Sequence, residues 1–205
     1  MPGCEETEAL ERAKAGDRKA FDALQTALQG SVWRFVDRLI GLSACTPDIV
    51  QKVFLALYLN IEKMQSPEHV KPFLFRVARN LCYDELRQRG RFQYVSLDSE
   101  EWEAEWRSSF VADLVDTADL PDDAAHLVML VAEVQQAMDR LPELQRQTLI
   151  LYAEEDLTYA QIAEAMNTDV GTVKSRIHNG RKNLLKQLKP EFLRELGIRK
   201  EKNHG

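Results

Sequence analysis

The sequence predicts an all-α protein in which two small helical domains are joined by a flexible acidic linker. Apolar residues recur at helical spacing through most of the chain, and capping residues bound several of these runs. The 205 residues include only 9 glycines and 7 prolines, too few for a protein rich in turns and short strands. Charge is also segregated along the chain, which indicates separate modules.

The first predicted domain covers residues 5–92 and begins with helical sequence from Glu5 to Leu28. This stretch is expected to break near Asp17, a residue type that can cap a new helix. A further helix is predicted from Ser31 to Ile40, and Gly41 ends it. These segments supply the apolar faces for a first core.

The third predicted helix opens with Thr46 as a cap and Pro47 at the first helical position, and extends to about Lys63. It carries two apolar stripes. The broad core face comprises Val50, Val53, Phe54, Leu57, Tyr58 and Ile61, and the second stripe comprises Gln51, Leu55 and Leu59. The second stripe predicts either a docking surface for another protein or a helix packed on both sides.

A fourth helix is predicted within residues 71–91, after a loop that contains Ser66 and Pro67. Its core face is Leu74, Val77, Ala78 and Leu81, and another side carries Arg76, Asn80, Tyr83 and Arg87. Phe73 and Phe75 stand at its start, beside this polar side. Basic and amide groups next to aromatic rings suit single-stranded DNA, although the two rings alone also fit a core.

An acidic connector separates two basic blocks along the sequence. Residues 71–91 contain six Lys or Arg against two Asp or Glu, and residues 157–189 have the same balance. Between them, residues 96–126 contain ten acidic residues and only Arg107 as a base. This map indicates two modules that face nucleic acid, with a linker at 93–128. The overall net charge of −6 predicts weak DNA binding by the free protein.

The second predicted domain covers residues 129–189 and contains a helix-turn-helix pattern. Thr158 and Gln161 form a capping box, Asn167 suits the turn between helices, and Asp169 can cap the second helix. In that helix one face is apolar and the opposite face is polar. The predicted buried stripe is Val170, Val173, Ile177, Gly180, Leu184 and Leu188. The spacing favours DNA binding over an ordinary helical hairpin with a basic, solvated face.

Several classes of function are excluded or disfavoured by the same sequence. No apolar run reaches the roughly 18 residues of a membrane span, and the polar N-terminus lacks a signal-peptide core, so we expect a cytoplasmic protein. Cys4, Cys45 and Cys82 form neither a CxxC pair nor a disulfide framework. The four histidines are scattered and no catalytic motif is present, so we expect no metal, no cofactor and no enzymatic activity.

Five segments together resemble the extracytoplasmic-function group of bacterial sigma factors, the sigma-70 type that retains only regions 2 and 4. They occur in the family's order and spacing between Ala15 and Gln187, with the acidic connector excepted. The segments are GDRKAFDAL, DIVQKVFLALY, FLFRVARNLCYDELR, LPELQRQTLILY and LTYAQIAEAMNTDVGTVKSRIHNGRK. The resemblance implies a transcription initiation factor that binds RNA polymerase core, directs it to promoters and helps to melt the −10 element.

The resemblance also implies a role for three sets of residues. The polymerase-binding set, for the β′ clamp coiled coil, is Asp48, Gln51, Lys52, Phe54, Leu55 and Leu59. The set for recognition and melting of the −10 element is Met64, Phe73, Phe75, Arg76, Arg79, Asn80, Tyr83 and Arg87. The set for the −35 element is Thr172, Lys174, Ser175, Arg176, His178, Asn179, Arg181 and Lys182.

Further partners follow from the family: the β flap of polymerase, promoter DNA in duplex and single-stranded form, and an anti-sigma factor. The protein is expected to be monomeric when free, with a tail from Pro190 that is helical to about Leu196. Lys52, Phe73, Asn179 and Gly180 depart from the family's usual residues. These departures motivate one alternative, recruitment by another DNA-bound factor, and a conventional helix-turn-helix regulator is a second.

Overall fold

The computed structural model describes residues 2–41, 44–88 and 122–195. Within these ranges all regular structure is helical, which confirms the predicted all-α class. The helices are α1 Pro2–Lys14, α2 Arg18–Ile40, α3 Thr46–Asn60, α4 Val70–Gln88, α5 Asp122–Asp139, α6 Glu143–Ala153, α7 Tyr159–Met166, α8 Val170–Gln187 and α9 Pro190–Glu195. Two short 3₁₀ turns, Ile61–Lys63 and Pro67–His69, lie between α3 and α4.

The break predicted near Asp17 is confirmed. The Asp17 carboxylate accepts hydrogen bonds from the backbone N–H groups of Lys19 and Ala20, so it caps α2. Arg12 of α1 pairs with the same carboxylate at 2.6 Å, and the resulting hydrogen bond holds the pKa of Asp17 below its usual range. The predicted segments 18–28 and 31–40 form one continuous helix, which ends at Gly41 with φ of 76°.

Helix α3 begins at Thr46, one residue before the predicted first helical position Pro47, so Thr46 does not cap it. The N-cap position belongs to Cys45, which makes no side-chain capping bond. The buried Thr46 hydroxyl instead donates to the Asp37 carboxylate of α2 at 2.7 Å, which joins the two helices. Tyr58 was predicted to lie in the core and is 60% exposed, so that prediction is wrong.

The described residues form two compact units. The first contains the residues up to 88 together with 150–174, and the second contains 122–149 together with 175–195. In the first unit α2 packs against α1, α3 and α4. Phe35 of α2 and Phe75 of α4 meet edge to face with ring centroids 5.0 Å apart, and Leu74 beside them is buried.

The helix-turn-helix corner has the local geometry that the sequence predicts. The Thr158 side chain accepts from the Gln161 N–H while the Gln161 side chain accepts from the Thr158 N–H, a complete capping box. Asn167 adopts the left-handed conformation with φ of 51°. The Asp169 carboxylate accepts from the Thr172 N–H at 2.9 Å at the start of α8.

The apolar stripe of α8 is buried at Val173, Ile177, Gly180 and Leu188. Val170 is 38% exposed, so its predicted burial is wrong; it lies in the first turn of the helix, at the end of the stripe.

In the second unit α8 approaches α6 closely at Gly180. A Cβ atom placed there would lie 3.0 Å from Cδ1 of Leu149 and 3.4 Å from Cβ of Gln145. Asn183, one turn further on, donates to the Gln145 side chain at 3.0 Å. Glycine therefore permits a helix crossing that a larger side chain would push apart, which explains why a poor helix former occupies a buried position.

The structure describes only the last residues of the predicted linker and the first residues of the tail. Residues 93–121 of the predicted linker lie outside the described residues, whereas 122–128 belong to α5. The tail is helical in α9, and residues 196–205 lie outside the described residues. Phe192 and Leu193 of α9 are buried, and Leu193 packs in a small core with Ala137 and Leu188.

Candidate nucleic-acid interface

Helix α4 presents the first predicted nucleic-acid surface. Its core side is fixed by Leu74, Ala78 and Cys82, all fully or almost fully buried. On other sides Asn80 and Arg87 are exposed, and the Arg76 guanidinium lies over the Phe73 ring at 5.6 Å from its centroid. A cation stacked on a half-exposed ring offers both a phosphate partner and a platform for a base.

Phe75 is a correction to the predicted −10 set. Its ring is only 2% exposed and packs against Phe35, so it belongs to the core and cannot stack on a base. Met64 and Tyr83 are also buried, at 8% and 9% exposure. A base could reach these two side chains only if neighbouring residues moved.

Two cations of α4 are already engaged by the chain itself. Arg79 donates to the backbone carbonyl of Met166 at 2.8 Å, and Lys71 donates to the carbonyl of Glu155 at 3.4 Å. The sequence analysis placed Arg79 in the −10 set, but in this structure its guanidinium already donates to the Met166 carbonyl. Lys71 was absent from the predicted set, although it begins the basic block.

Helix α8 presents the second predicted surface, and it is open to solvent. Six of the eight predicted residues are exposed, and Thr172 and Arg176 are partly exposed. The six are Lys174, Ser175, His178, Asn179, Arg181 and Lys182. The helix is positioned by its buried stripe on one side and by Asp169 at its start. Hydrogen bonds from Thr172 hold the pKa of Asp169 below its usual range, so the cap is charged at neutral pH.

Helix α3 carries an exposed apolar ridge, which we define as Leu55, Tyr58 and Leu59. Their exposures are 55%, 60% and 68%. Asp48, Gln51 and Lys52 of the predicted polymerase-binding set are also exposed, but Phe54 is only 3% exposed and must be removed from that set.

Tyr58 is the residue of this ridge that sequence reasoning assigned to the wrong face. It lies three residues after Leu55, so it shares that side of the helix as well as the edge of the core. Its ring contacts Phe21 edge to face at 5.3 Å while most of its surface stays in solvent.

No group of His, Cys, Asp or Glu residues suited to a metal occurs in the described parts of the chain. Cys45 is partly buried and Cys82 is fully buried. Among the described residues no helix is long and apolar enough to span a membrane.

Comparison with known families gives two matches within the chain. Residues 24–92 match Sigma-70 region 2, and residues 132–184 match Sigma-70, region 4. The first match contains most of α2 and all of α3 and α4. The second contains the helix-turn-helix and most of α8.

Two of the curated relatives match along nearly their whole lengths. The ECF RNA polymerase sigma factor SigW of Bacillus subtilis is 32% identical over 181 residues, which cover 88% of this chain and 95% of the relative. The ECF RNA polymerase sigma-E factor of Escherichia coli is 31% identical over 185 residues, 88% of this chain and 93% of the relative.

Two solved structures share the fold. The sigma factor RpoE in complex with the anti-sigma factor NepR from Bartonella quintana matches with a TM-score of 0.60 and 20% identity, over 84% of this chain and 99% of that one. CnrH in complex with the cytosolic domain of CnrY matches with a TM-score of 0.58 and 18% identity, over 88% and 95%.

The paired regions define a transcription initiation factor of the sigma-70 class, a protein that directs RNA polymerase to promoters. Because the curated relatives match over most of both lengths, the chain belongs to the extracytoplasmic-function (ECF) sigma factors within that class. Sigma factors act by binding rather than by making or breaking covalent bonds.

Proposed function

We propose that the two surfaces divide promoter recognition between them. The α8 surface reads the −35 element as duplex DNA, and the exposed side of α4 reads and helps to open the −10 element. The observation that supports this most directly is α8 itself: most of its apolar stripe is buried, while six of its eight predicted contact residues are exposed. The domain boundaries at 5–92, 93–128 and 129–189 remain part of this proposal.

At the −35 element, α8 enters the major groove. The Lys174, Arg181 and Lys182 side chains reach phosphates, and Ser175, His178 and Asn179 lie where base edges are read. Asn179 also donates weakly to Ser175 at 3.5 Å, so these two side chains share one patch. The short polar residues at this patch make fewer charged contacts with DNA than an arginine would, so the affinity of α8 for the −35 element should be modest. Tight promoter binding should therefore need polymerase.

At the −10 element, the chain converts binding energy into strand separation. Unstacking and flipping a base costs a few kcal/mol, and capture of the single strand stabilises the open form. Asn80 offers an amide that can pair with a base edge, and the Arg76 and Phe73 pair offers a phosphate contact and a stacking surface. No group on this surface needs to change its covalent state.

The apolar ridge of α3 is the proposed contact with the β′ clamp coiled coil of polymerase. Three large apolar side chains exposed together on one helix are unusual for a surface that stays in water. Exposed Asp48 and Lys52 at the margin supply charges that orient a helical partner. The second domain is proposed to contact the β flap.

An anti-sigma factor is proposed as a further partner. One structural neighbour, RpoE from Bartonella quintana, is a sigma factor in complex with the anti-sigma factor NepR. The alternative of a conventional helix-turn-helix regulator is not favoured, because both sigma regions match in one chain. Recruitment by a second DNA-bound factor is likewise not favoured.

Reconstitution with purified polymerase core tests the proposal. The mixture should select promoter fragments and start transcription, whereas neither component alone should do so. Arg176→Ala should then weaken formation of the promoter complex by roughly tenfold, within the range for one lost DNA contact. Lys19→Ala removes one exposed cation away from all proposed surfaces and serves as the matched control. Failure of the chain to associate with polymerase core would overturn the proposal.

A further inference from the structure

Val170 is an aliphatic residue in the first turn of α8 whose side chain lies partly in solvent. It is 38% exposed, whereas Val173 and Ile177 on the same predicted stripe are 0% and 3% exposed. A single exposed aliphatic side chain is common on protein surfaces and carries no argument by itself. The position of Val170 does carry one, because the N-terminal residues of a helix-turn-helix recognition helix are those that contact base edges.

The polar side chains next to Val170 bond to each other. The Asp169 carboxylate accepts from the Thr172 N–H at 2.9 Å and from the Thr172 hydroxyl at 2.6 Å. A hydroxyl has one hydrogen to donate, so Thr172 cannot donate to a base while this cap is intact. The first turn of α8 therefore offers DNA an apolar contact at Val170 in place of a hydrogen bond from Thr172.

Gly171 keeps the space beside Val170 free of a side chain. It is exposed, and a Cβ atom placed there would lie 2.9 Å from Oδ1 of Asp169. A larger residue would therefore displace the carboxylate that caps α8. With only hydrogen at this position, the backbone of the first turn can approach a ligand closely. The floor of a DNA groove can thus come near the methyl groups of Val170.

Val170 shares one side of α8 with two of the proposed DNA contacts. Lys174 lies four residues further along and His178 four residues beyond that, so the three residues form one row along the helix. Lys174 and His178 are both exposed. Val170 is therefore at the N-terminal end of the proposed DNA surface. A β-branched side chain has one strongly preferred rotamer in a helix, so Val170 loses little conformational entropy when a base packs against it.

We propose that Val170 recognises the methyl group of a thymine in the −35 element. Thymine alone among the four bases presents a methyl group in the major groove, and a valine side chain has no hydrogen-bonding group with which to read another feature. The contact adds apolar recognition to the polar recognition by Ser175, His178 and Asn179. This proposal rests on the assignment of α8 to the −35 element, and it gives a DNA-reading role to a residue that helical periodicity placed in the core.

Removal of one methyl group from the DNA and of the valine methyl groups from the protein tests the proposal. In a promoter that the holoenzyme uses, each thymine of the −35 element, on either strand, is replaced in turn by deoxyuridine, which lacks only the methyl group. The affinity of the holoenzyme for each duplex is measured with the natural chain, V170A, V170I and V131A. Val131 is 61% exposed on α5, so V131A makes the same chemical change outside the proposed surface.

The effects of the two removals should not add. With the natural chain, deoxyuridine at one position should lower the affinity about two- to fivefold, the loss expected for one methyl group that leaves an apolar contact. V170A should bind the thymine duplex with a similar loss and should lose nothing further when deoxyuridine occupies that position. V131A and V170I should keep the full effect of deoxyuridine, because both retain an aliphatic side chain at position 170.

The outcomes separate the role of Val170 from the function of α8. The proposal is overturned if deoxyuridine weakens binding of the natural chain at no position, or if V170A responds to deoxyuridine as strongly as V131A does. A promoter with a scrambled −35 element judges the −35 assignment independently, because unchanged affinity there would reject the proposed function itself. A loss of affinity with the scrambled element, together with equal deoxyuridine effects in V170A and V131A, would reject only the role of Val170.

Discussion

The two predicted DNA surfaces differ in how free they are. On α8 six of the eight predicted contact residues are exposed. On α4, Arg79 and Lys71 donate to the backbone carbonyls of Met166 and Glu155, and Tyr83 is buried. Both helices carry a basic polar face by sequence, yet more of the predicted contact residues are exposed on α8 than in the −10 set.

On the proposed assignment of the two surfaces, the difference predicts an order of events during initiation. The exposed α8 surface needs no rearrangement to meet duplex DNA, so the proposed −35 contact should form first. The proposed −10 contact of α4 should form only after polymerase has bound and the strands begin to separate.

The largest expected effect tests which aromatic ring of α4 belongs to the core. Phe75→Ala removes a buried ring that packs on Phe35, and should lower the free energy of unfolding by about 3 to 5 kcal/mol. Phe73→Ala removes a half-exposed ring at the same end of the helix and should change stability much less. Chemical denaturation of both variants measures the contrast.

The contrast between the rings extends to DNA. Phe73→Ala should weaken opening of the −10 element by the holoenzyme, which permanganate reactivity of unpaired thymines reports. Equal loss of stability in the two variants would show that α4 has no separate aromatic face for DNA.

A smaller effect concerns Gly180, where α8 packs closely against α6. Gly180→Ala gains about 1 kcal/mol of helix propensity but forces Cβ to within 3.0 Å of Leu149. Overpacking of this kind typically costs about 1 to 3 kcal/mol, so we expect a net loss of stability of about 1 kcal/mol. Thermal unfolding measures it, together with affinity for a −35 duplex in the holoenzyme.

A compensating change checks the cause. Leu149→Val shortens the opposing side chain, so G180A in an L149V background should be less harmful than in the natural chain, and a double-mutant cycle gives the coupling. A G180A variant that is more stable than the natural protein would show that the crossing relaxes without strain.

The smallest effect is electrostatic and depends on pH. Hydrogen bonds from Thr172 lower the pKa of Asp169 below its ordinary value of 3.8. A carboxylate with a depressed folded-state pKa stabilises the fold above its ordinary pKa, and the stabilisation is lost as pH falls through the folded value. Asp169→Ala should therefore lower the melting temperature at pH 7, and the difference should be smaller at pH 3, below the ordinary pKa of the carboxyl. A difference of the same size at both values would exclude the charged cap as its source.

Local patterns predicted the fold well where a few adjacent residues decide the backbone. The capping box at Thr158 and Gln161, the left-handed Asn167, the cap at Asp17 and the end of α2 at Gly41 were all predicted and are confirmed. Each depends on hydrogen bonds or steric limits within about four residues, so the sequence contains all the necessary information.

Predictions failed where the environment comes from distant residues. Helical periodicity placed Phe54 and Tyr58 on one core face, but the structure buries the first and exposes the second. It also could not tell that Phe75 meets Phe35 across the core. Least predictable was the contact between Arg79 and Met166, because the acceptor is a backbone carbonyl and no side-chain pattern marks such an acceptor.

The apolar ridge of α3 has a consequence for the life of the protein before it meets polymerase. This ridge is exposed to water in the unbound chain at Leu55, Tyr58 and Leu59. Overproduced copies should therefore self-associate as their concentration rises. On the proposed polymerase contact, the supply of polymerase that covers this ridge would also limit how much uncommitted sigma factor self-associates.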